Sequence, residues 1–398
     1  MRKVKNYLIL FIGLAAFWKL YVPLDVKELS RLPFFIFEYN FIKSNYNYNL
    51  SKHNLTSDTV LKTIYISANS RDDKVIQKAI DNINTGNILL IDSVYYISSP
   101  ILMKSNVYLI GRKDGTKIIN RVNAISGLVQ ESEKISDSIY IFNIEKKLDI
   151  LGQNVFIGMP NSGGWNRAIF KIIKSKNKSY TAKLILNRSG LNVDKSNQIY
   201  SQNSFVFMND IKNTGLKNIE FSVFINRYIP DLHRKDFLNS GIVIINSERI
   251  FLDSVKVNNY IGEGISVQGG KENYFSNLEC KNNYSHGFHL GTLAKECIIT
   301  NSNFSKNNGD GIYFCYQVSN CVIQNSLIME NLENGIGGLG GAGDRGNLIS
   351  SNIISSNFKS AIHLFETGNK ISNNVFKNNK IFKSNSEFGN LISSNHYK

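Results

Sequence analysis

The chain has 398 residues, enough for one large domain or two ordinary ones, and a hydrophobic fraction of 42% that suits a packed protein. A charged fraction of 19% argues against wholesale disorder, and four cysteines without a C-x-x-C pair exclude both a disulfide scaffold and the common zinc motifs. Lys and Arg outnumber Asp and Glu by 46 to 31, so the net charge of +15 favours an anionic partner such as an acidic polysaccharide, a nucleic acid or an anionic membrane surface.

Arg2, Lys3 and Lys5 precede an apolar run from Tyr7 to Trp18. A basic start followed by about twelve apolar residues is the pattern of a secretory signal, and it is shorter than the roughly 20 residues of a spanning helix. Residues 1–20 are therefore expected to be a signal peptide or an N-terminal membrane anchor. The expected location is the exterior or the cell envelope. Residues 21–56 are irregular and read as a linker or loose cap. The stretch beginning Arg71-Asp72-Asp73 has Val75, Ile76, Ala79, Ile80 and Ile83 on one side of a helix, with acid at its start. Strands follow at 87–97 and 107–110. Residues 121–205 depart from any repeat and suggest a β-rich insertion within a body spanning 57–390.

From residue 240 onward the sequence repeats itself. Gly241, Gly264, Gly287, Gly311 and Gly335 each open a short apolar strand, at spacings of 23, 23, 24 and 24, and Ala361 continues the series. Asn283, Asn307, Asn331 and Asn357 form a parallel column, and Cys297 and Cys321 another, with Asn273 and Asn347. Runs of three to five alternating residues are strands, and Asn and Gly suit the corners because they tolerate left-handed backbone angles. A period of about 24 has no room for a crossover helix, so each strand must stack on its equivalent about 4.8 Å away. The expected fold is all-β, a single-stranded right-handed parallel β-helix (a solenoid) with an N-terminal capping helix. Cys297 and Cys321 then lie inward on adjacent coils, close enough for a disulfide but read as a reduced ladder.

Side chains alternate along a strand, so the second residue after each marker glycine points outward. That line reads Val243, Ser266, His289, Tyr313, Gly337, His363. The residue before each glycine, at the lip of the strand, reads Ser240, Glu263, His286, Asp310, Asn334, Ser360. Glu263, His286, His289, Asp310 and Tyr313 should gather on one face within about 10 Å. They are the candidate catalytic residues. Ser266, Gln268, Arg345 and His363 are the candidate substrate-binding residues, Arg345 because it lies in a glycine-rich stretch that clears the face for a chain-like ligand. A long shallow groove with excess positive charge suits an extended acidic polymer. A base and an acid placed in neighbouring coils suit proton removal beside a uronate carboxylate. Carboxylates at Glu263 and Asp310, about 10 Å apart, also admit a glycoside hydrolase, and a non-catalytic polysaccharide-binding or surface protein is the third reading. No cofactor is implied, apart from calcium, to which Glu263 and Asp310 could contribute ligands. No basic stripe interleaved with aromatics marks a nucleic-acid site, and the chain is expected to be a monomer.

The order Asp72-Asp73, a short helix, Tyr95-Tyr96-Ile97-Ser98-Ser99-Pro100-Ile101 and Lys104-Ser105-Asn106-Val107-Tyr108-Leu109-Ile110-Gly111, followed by the coils, resembles the pectate-lyase-like superfamily across about 57–385. The resemblance implies a helix covering the open end of the β-helix and an insertion walling a groove. It spans lyases, epimerases, hydrolases and tailspikes, so it speaks to fold more than to activity. His286-Gly-Phe-His-Leu-Gly291 is similar to the Tyr-Gly-Phe-Asp-Pro-His motif of mannuronan epimerases only in its Gly-Phe. Asp310-Gly311 matches the Asp-Gly of the following coil, so only Asp310 carries over.

Overall fold

The computed structural model describes residues 62–68, 72–121, 126–159, 167–187, 190–201, 204–223, 237–339, 343–364, 368–379, 383–384 and 390–397. The expected signal and linker, residues 1–56, lie outside them.

The described strands wind into a parallel β-helix. One face is a nine-stranded parallel sheet running from Ile101–Leu102 through Val206–Asn209, Ile242–Ile245, Ile265–Gln268, Phe288–Leu290, Ile312–Phe314, Ile336–Gly338 and Ile362–Leu364 to Lys383–Ser384. We call it the site sheet. The other two faces are parallel ladders joined through the long strands Lys212–Val223 and Glu248–Asn258, each of which turns a corner and serves both. A single residue with positive φ makes that corner, Asn218 at 56° in one strand and Ser254 at 56° in the next. Asn277, Asn301 and Asn325 repeat it in later coils at 52–53°. Asn tolerates this conformation because its short polar side chain can bond locally.

The interior is a continuous apolar stack that includes Ile244, Val267, Leu290 and Phe314 from the site sheet and Leu252, Phe275, Ile299 and Ile323 from the facing ladder. Polar rows close the corners. Asn307 Nδ2 donates to Asn331 Oδ1 at 2.9 Å, and Asn331 Nδ2 to Asn357 Oδ1 at 2.9 Å, while each amide also donates to a backbone carbonyl. A second ladder links Asn347 to Asn369 in the same way. Stacking thus satisfies buried amides that a single coil would leave bare. Cys297 and Cys321 are free thiols in the row that contains Asn273 and Asn347.

The helix Asp72–Asn82 buries Ile76 and Ile80 against the first coil. Its two leading acids are structural. Asp72 Oδ2 accepts from the Tyr96 backbone N–H at 2.5 Å, and Asp73 Oδ2 accepts from Ser98 and Ser99 hydroxyls at 3.1 and 2.9 Å. Among the described residues no helix is long and apolar enough to cross a membrane.

Between Ser126 and Ser201 the chain leaves the coils and builds a closed six-stranded antiparallel barrel. Val155, Ile157, Ala168 and Phe170 fill its core. The alternate residues Phe156 and Ile169 face the other way and pack with Tyr200 on Phe207, Val243 and Ile245. The barrel therefore sits on the outer surface of the site sheet at its early coils. It buries Val243 completely.

Candidate functional site

Strand register places the outward residues in one row. Val243 pairs with Ser266, Ser266 with His289, His289 with Tyr313, Tyr313 with Gly337, and Gly337 with His363. The apolar residues between them point inward, with Leu290 and Phe314 fully buried.

Glu263 and His289 form the centre. His289 Nδ1 lies 3.0 Å from both carboxylate oxygens of Glu263, and Ser240 Oγ donates to Glu263 Oε2 at 3.0 Å. Both partners are buried, at 2% and 7% exposure. Burial opposes the charge on each. Their mutual attraction outweighs it, holding the Glu263 carboxyl below its ordinary range and raising His289 to about 10. His289 is thus an imidazolium at neutral pH, facing an ionised carboxylate.

Beside it, Tyr313 stacks on His286 with ring centroids 4.4 Å apart and 6° between planes, and meets His289 edge-on at 5.0 Å. Burial, followed by the acidic groups nearby, pushes the Tyr313 hydroxyl up, so it remains a protonated donor. His286 Nδ1 accepts the Asp310 backbone N–H at 2.9 Å. The same nitrogen lies 3.5 Å from Asp310 Oδ2.

Asp310 accepts from the Asn334 backbone N–H at 2.7 Å and from Asn334 Nδ2 at 2.8 Å. Burial nevertheless lifts its carboxyl to about 7, the Asn334 donors offsetting only part of that cost. Its other oxygen lies over Gly337, where a Cβ would come within 2.4 Å of Asp310 Oδ2. The glycine in the outward row therefore makes room for a carboxylate from the lip row. Gly291 does the same for Gln268, whose amide would be 2.0 Å from a Cβ there.

Ser266 and Gln268 lie next to His289 but are buried, at 0% and 1% exposure. Gln268 Nε2 donates to Ser266 Oγ at 3.0 Å and stands 3.5 Å from His289 Nε2, and its Oε1 accepts the Thr292 N–H at 2.9 Å. They brace the imidazole and do not line an open surface. His363 stands two coils beyond Tyr313 in the same row. Arg345 does not join the site. It belongs to a corner row running Glu248, Lys271, Lys295, Ser319, Arg345, which leads into the strand Leu348–Ser350 of another face. The glycine count around it held no information about which corner of the coil it occupied.

One residue of this cluster escapes the two rows read from the sequence. Cys315 follows Phe314, is on the outward side by the alternation, is partly exposed, and its backbone N–H donates to the Leu290 carbonyl at 2.9 Å, one coil on from His289. The alternation that selected Tyr313 also selects Cys315 two residues later.

Among the described residues, no group of three or more His, Cys, Asp and Glu side chains is arranged to hold a metal ion. A cleft of about 610 Å³ lies elsewhere, between the capping helix and the barrel, lined by Asp73, Gln77, Arg121, Gln153 and Lys171.

Residues 228–381 match the family model described as a right-handed β-helix region. No curated protein matches the chain. Among solved structures it is similar to an exopolygalacturonase from Thermotoga maritima, at 9% identity and a TM-score of 0.46, over 86% of this chain and 88% of that one. It is similar also to pectate lyase Pel9A, at 13% and 0.45, over 86% and 78%. PfbA, a surface adhesin of Streptococcus pneumoniae, follows at 14% and 0.37, over 84% and 79%. The coils of this chain are those of a right-handed parallel β-helix, the fold of the pectate-lyase-like superfamily that its sequence resembles.

Proposed function

We propose that the chain is an exported enzyme acting on an acidic, uronate-containing polysaccharide, and that it moves protons at the uronate, as a lyase or a carbon-five epimerase does. The observation that carries this reading is the clustering of Glu263, His286, His289, Asp310 and Tyr313 from three consecutive coils, with proton affinities displaced in opposite directions. Displaced affinities in one cluster are what acid–base catalysis requires. His289 carries a proton that can be shared with a uronate carboxylate. The Tyr313 phenol is a donor for a leaving or returning proton. Asp310, near neutrality, exchanges a proton at little cost. The net charge of +15 favours approach of a polyanion, and the basic, apolar N-terminal segment supports export to the exterior or the envelope.

The test is incubation with alginate, pectate and glycosaminoglycans. Absorbance of unsaturated uronate reports elimination, and solvent-proton exchange at carbon five reports epimerisation. Silence in both, across all three polymers, overturns the reading. A glycoside hydrolase is the second reading, favoured by one observation: Glu263 is held ionised while Asp310 is pushed toward the protonated form, the split an acid–base carboxylate pair needs. New reducing ends without unsaturated product would select it. Binding that survives loss of both His289 and Tyr313, with no turnover, would select a binding protein.

A further inference from the structure

The cleft between the capping helix and the barrel is built from different residues than the outward row. Its volume of about 610 Å³ suits a short oligosaccharide. Lys74 and Lys78 line it from the helix, Tyr96 and Arg121 from the first coils, and Asn154 and Lys171 from the barrel. Strand register explains the barrel wall. Asn154, Lys171 and Lys183 lie side by side on three neighbouring strands. Side chains alternate along a strand, and Val155, Phe170 and Ala182 fill the barrel core. The Asn154–Lys171–Lys183 row therefore faces outward, next to the row of Phe156 and Ile169 that docks on the coils.

Three observations point to a ligand. Lys171 and Lys183 are directly opposite each other on paired strands, where like charges repel. Among the described residues neither has a carboxylate within ion-pair distance, and the same holds for Lys74, Lys78 and Arg121. Second, Arg121 is held ready without an acid. Its guanidinium carbon is 3.6 Å from the centroid of the Tyr96 ring, and Asp72 fixes the Tyr96 backbone. Stacking leaves the in-plane N–H edge of a guanidinium free, the edge that grips a carboxylate or sulfate as a fork. Third, Asn154 is 3% exposed and its side-chain oxygen has no donor. A hydroxyl-bearing ligand supplies the donor that the fold does not. The acids of the cleft narrow the choice further. Asp73 is taken up by the Ser98 and Ser99 hydroxyls, and Asp81 accepts from Gln77 Nε2 at 3.0 Å. Asp81 and Asp149 line the same cleft as the cations. Such a mixture suits a ligand with spaced anionic groups and many hydroxyls, and it repels a continuous phosphate backbone.

We propose that this cleft is a second, non-catalytic binding site for an acidic oligosaccharide segment. Arg121 and Lys171 take the carboxylate or sulfate of a sugar, and Asn154 and Asp149 accept from its hydroxyls. No bond is made or broken there. The site shares no residue with the Glu263–His289 cluster and does not rest on the uronate chemistry. A polymer is held here whether or not the outward row turns it over.

The test uses the full chain with trigalacturonate, a sulfated heparin-derived tetrasaccharide, and neutral maltotriose as control. Lysine acetylation of the folded wild-type chain, mapped by mass spectrometry, reads the site directly. Either acidic sugar should protect Lys171 and leave Lys306, exposed on a later coil, unprotected. Protection by one acidic sugar and not the other assigns the anion as carboxylate or as sulfate. In calorimetry, K171E and R121A should each weaken binding by about 10-fold or more, and added salt should weaken binding to the wild-type chain. Y313F should keep the protection of Lys171, so a failure of the uronate chemistry and a failure of cleft binding are told apart. No protection of Lys171 by either acidic sugar at millimolar concentration would overturn the proposal. So would equal protection by maltotriose, unchanged affinity in both K171E and R121A, or protection by a single-stranded oligonucleotide in place of the sugars. The footprint needs only the wild-type chain, so it decides the matter even where a variant fails to fold.

Discussion

His289 Nδ1 lies 3.0 Å from both carboxylate oxygens of Glu263, across two adjacent coils of one parallel sheet and with both side chains buried. A buried pair of this kind is costly to break from one side, because the surviving charge has no partner. E263Q should therefore lower the His289 pKa below its ordinary value, since burial would remain and the attraction would not. NMR titration of the imidazole would check it. Stability should fall by about 3 kcal/mol in urea unfolding at pH 7. An unchanged His289 titration would show that the pair does not set its charge.

The same pair fixes a pH dependence. The folded pKa of His289 is raised, so its stabilisation is complete below the unfolded value of about 6.5 and is lost as pH rises through about 10. Wild-type chain should lose stability on that alkaline limb, and H289N should not show it.

Asp310 has a consequence of the same sign, nearer neutrality. Its folded pKa is also raised, to about 7, from an unfolded value of about 4. A raised carboxyl favours the fold below the unfolded value, and that contribution is lost progressively as pH rises through 7. D310N should flatten the decline in melting temperature between pH 4 and 7, and should remove any limb near pH 7 from the activity profile. A decline unchanged in D310N would assign it to another group.

Gly337→Ala places a methyl group where Asp310 Oδ2 now lies, 2.4 Å from the ideal Cβ. The carboxyl must move, because its other oxygen is tethered to Asn334. The coil should survive at a cost of about 1–3 kcal/mol, while activity falls more steeply than that cost explains. Equal losses in activity and in folded fraction would show that the glycine serves packing only.

Tyr313→Phe keeps the ring stacked on His286 and removes only the donor. Stability should change by less than about 1 kcal/mol, and turnover of a uronate polymer should fall by about 10²–10⁴. Retained turnover would exclude the phenol from the chemistry.

Much of this arrangement could be read before any fold was known. The marker glycines fix which residues share a row, and the observed register pairs Ser266 with His289 and His289 with Tyr313 one for one. The Asn column is equally plain, because a buried amide row is satisfied only by its own repeat. Other features were not visible in the repeat. Arg345 lies in a stretch where glycines outnumber shaped residues, so its corner could not be assigned from spacing. Ser266 and Gln268 sit on the outward side yet are buried, since alternation tells direction but not what covers the direction.

The amino-acid sequence by itself determined the coil, its period and the rows, because in a solenoid each coil contacts only its neighbours and one-dimensional spacing becomes spatial adjacency. Only the tertiary structure decided which part of the outward face is covered. Residues far apart in the chain, Phe156 and Ile169 of the barrel, seal the row at Val243. It also decided how charge is shared. Glu263 and His289 meet face to face from adjacent coils, and burial together with their mutual attraction sets their proton affinities. Burial and convergence are properties of packed volume, which no spacing along the chain encodes.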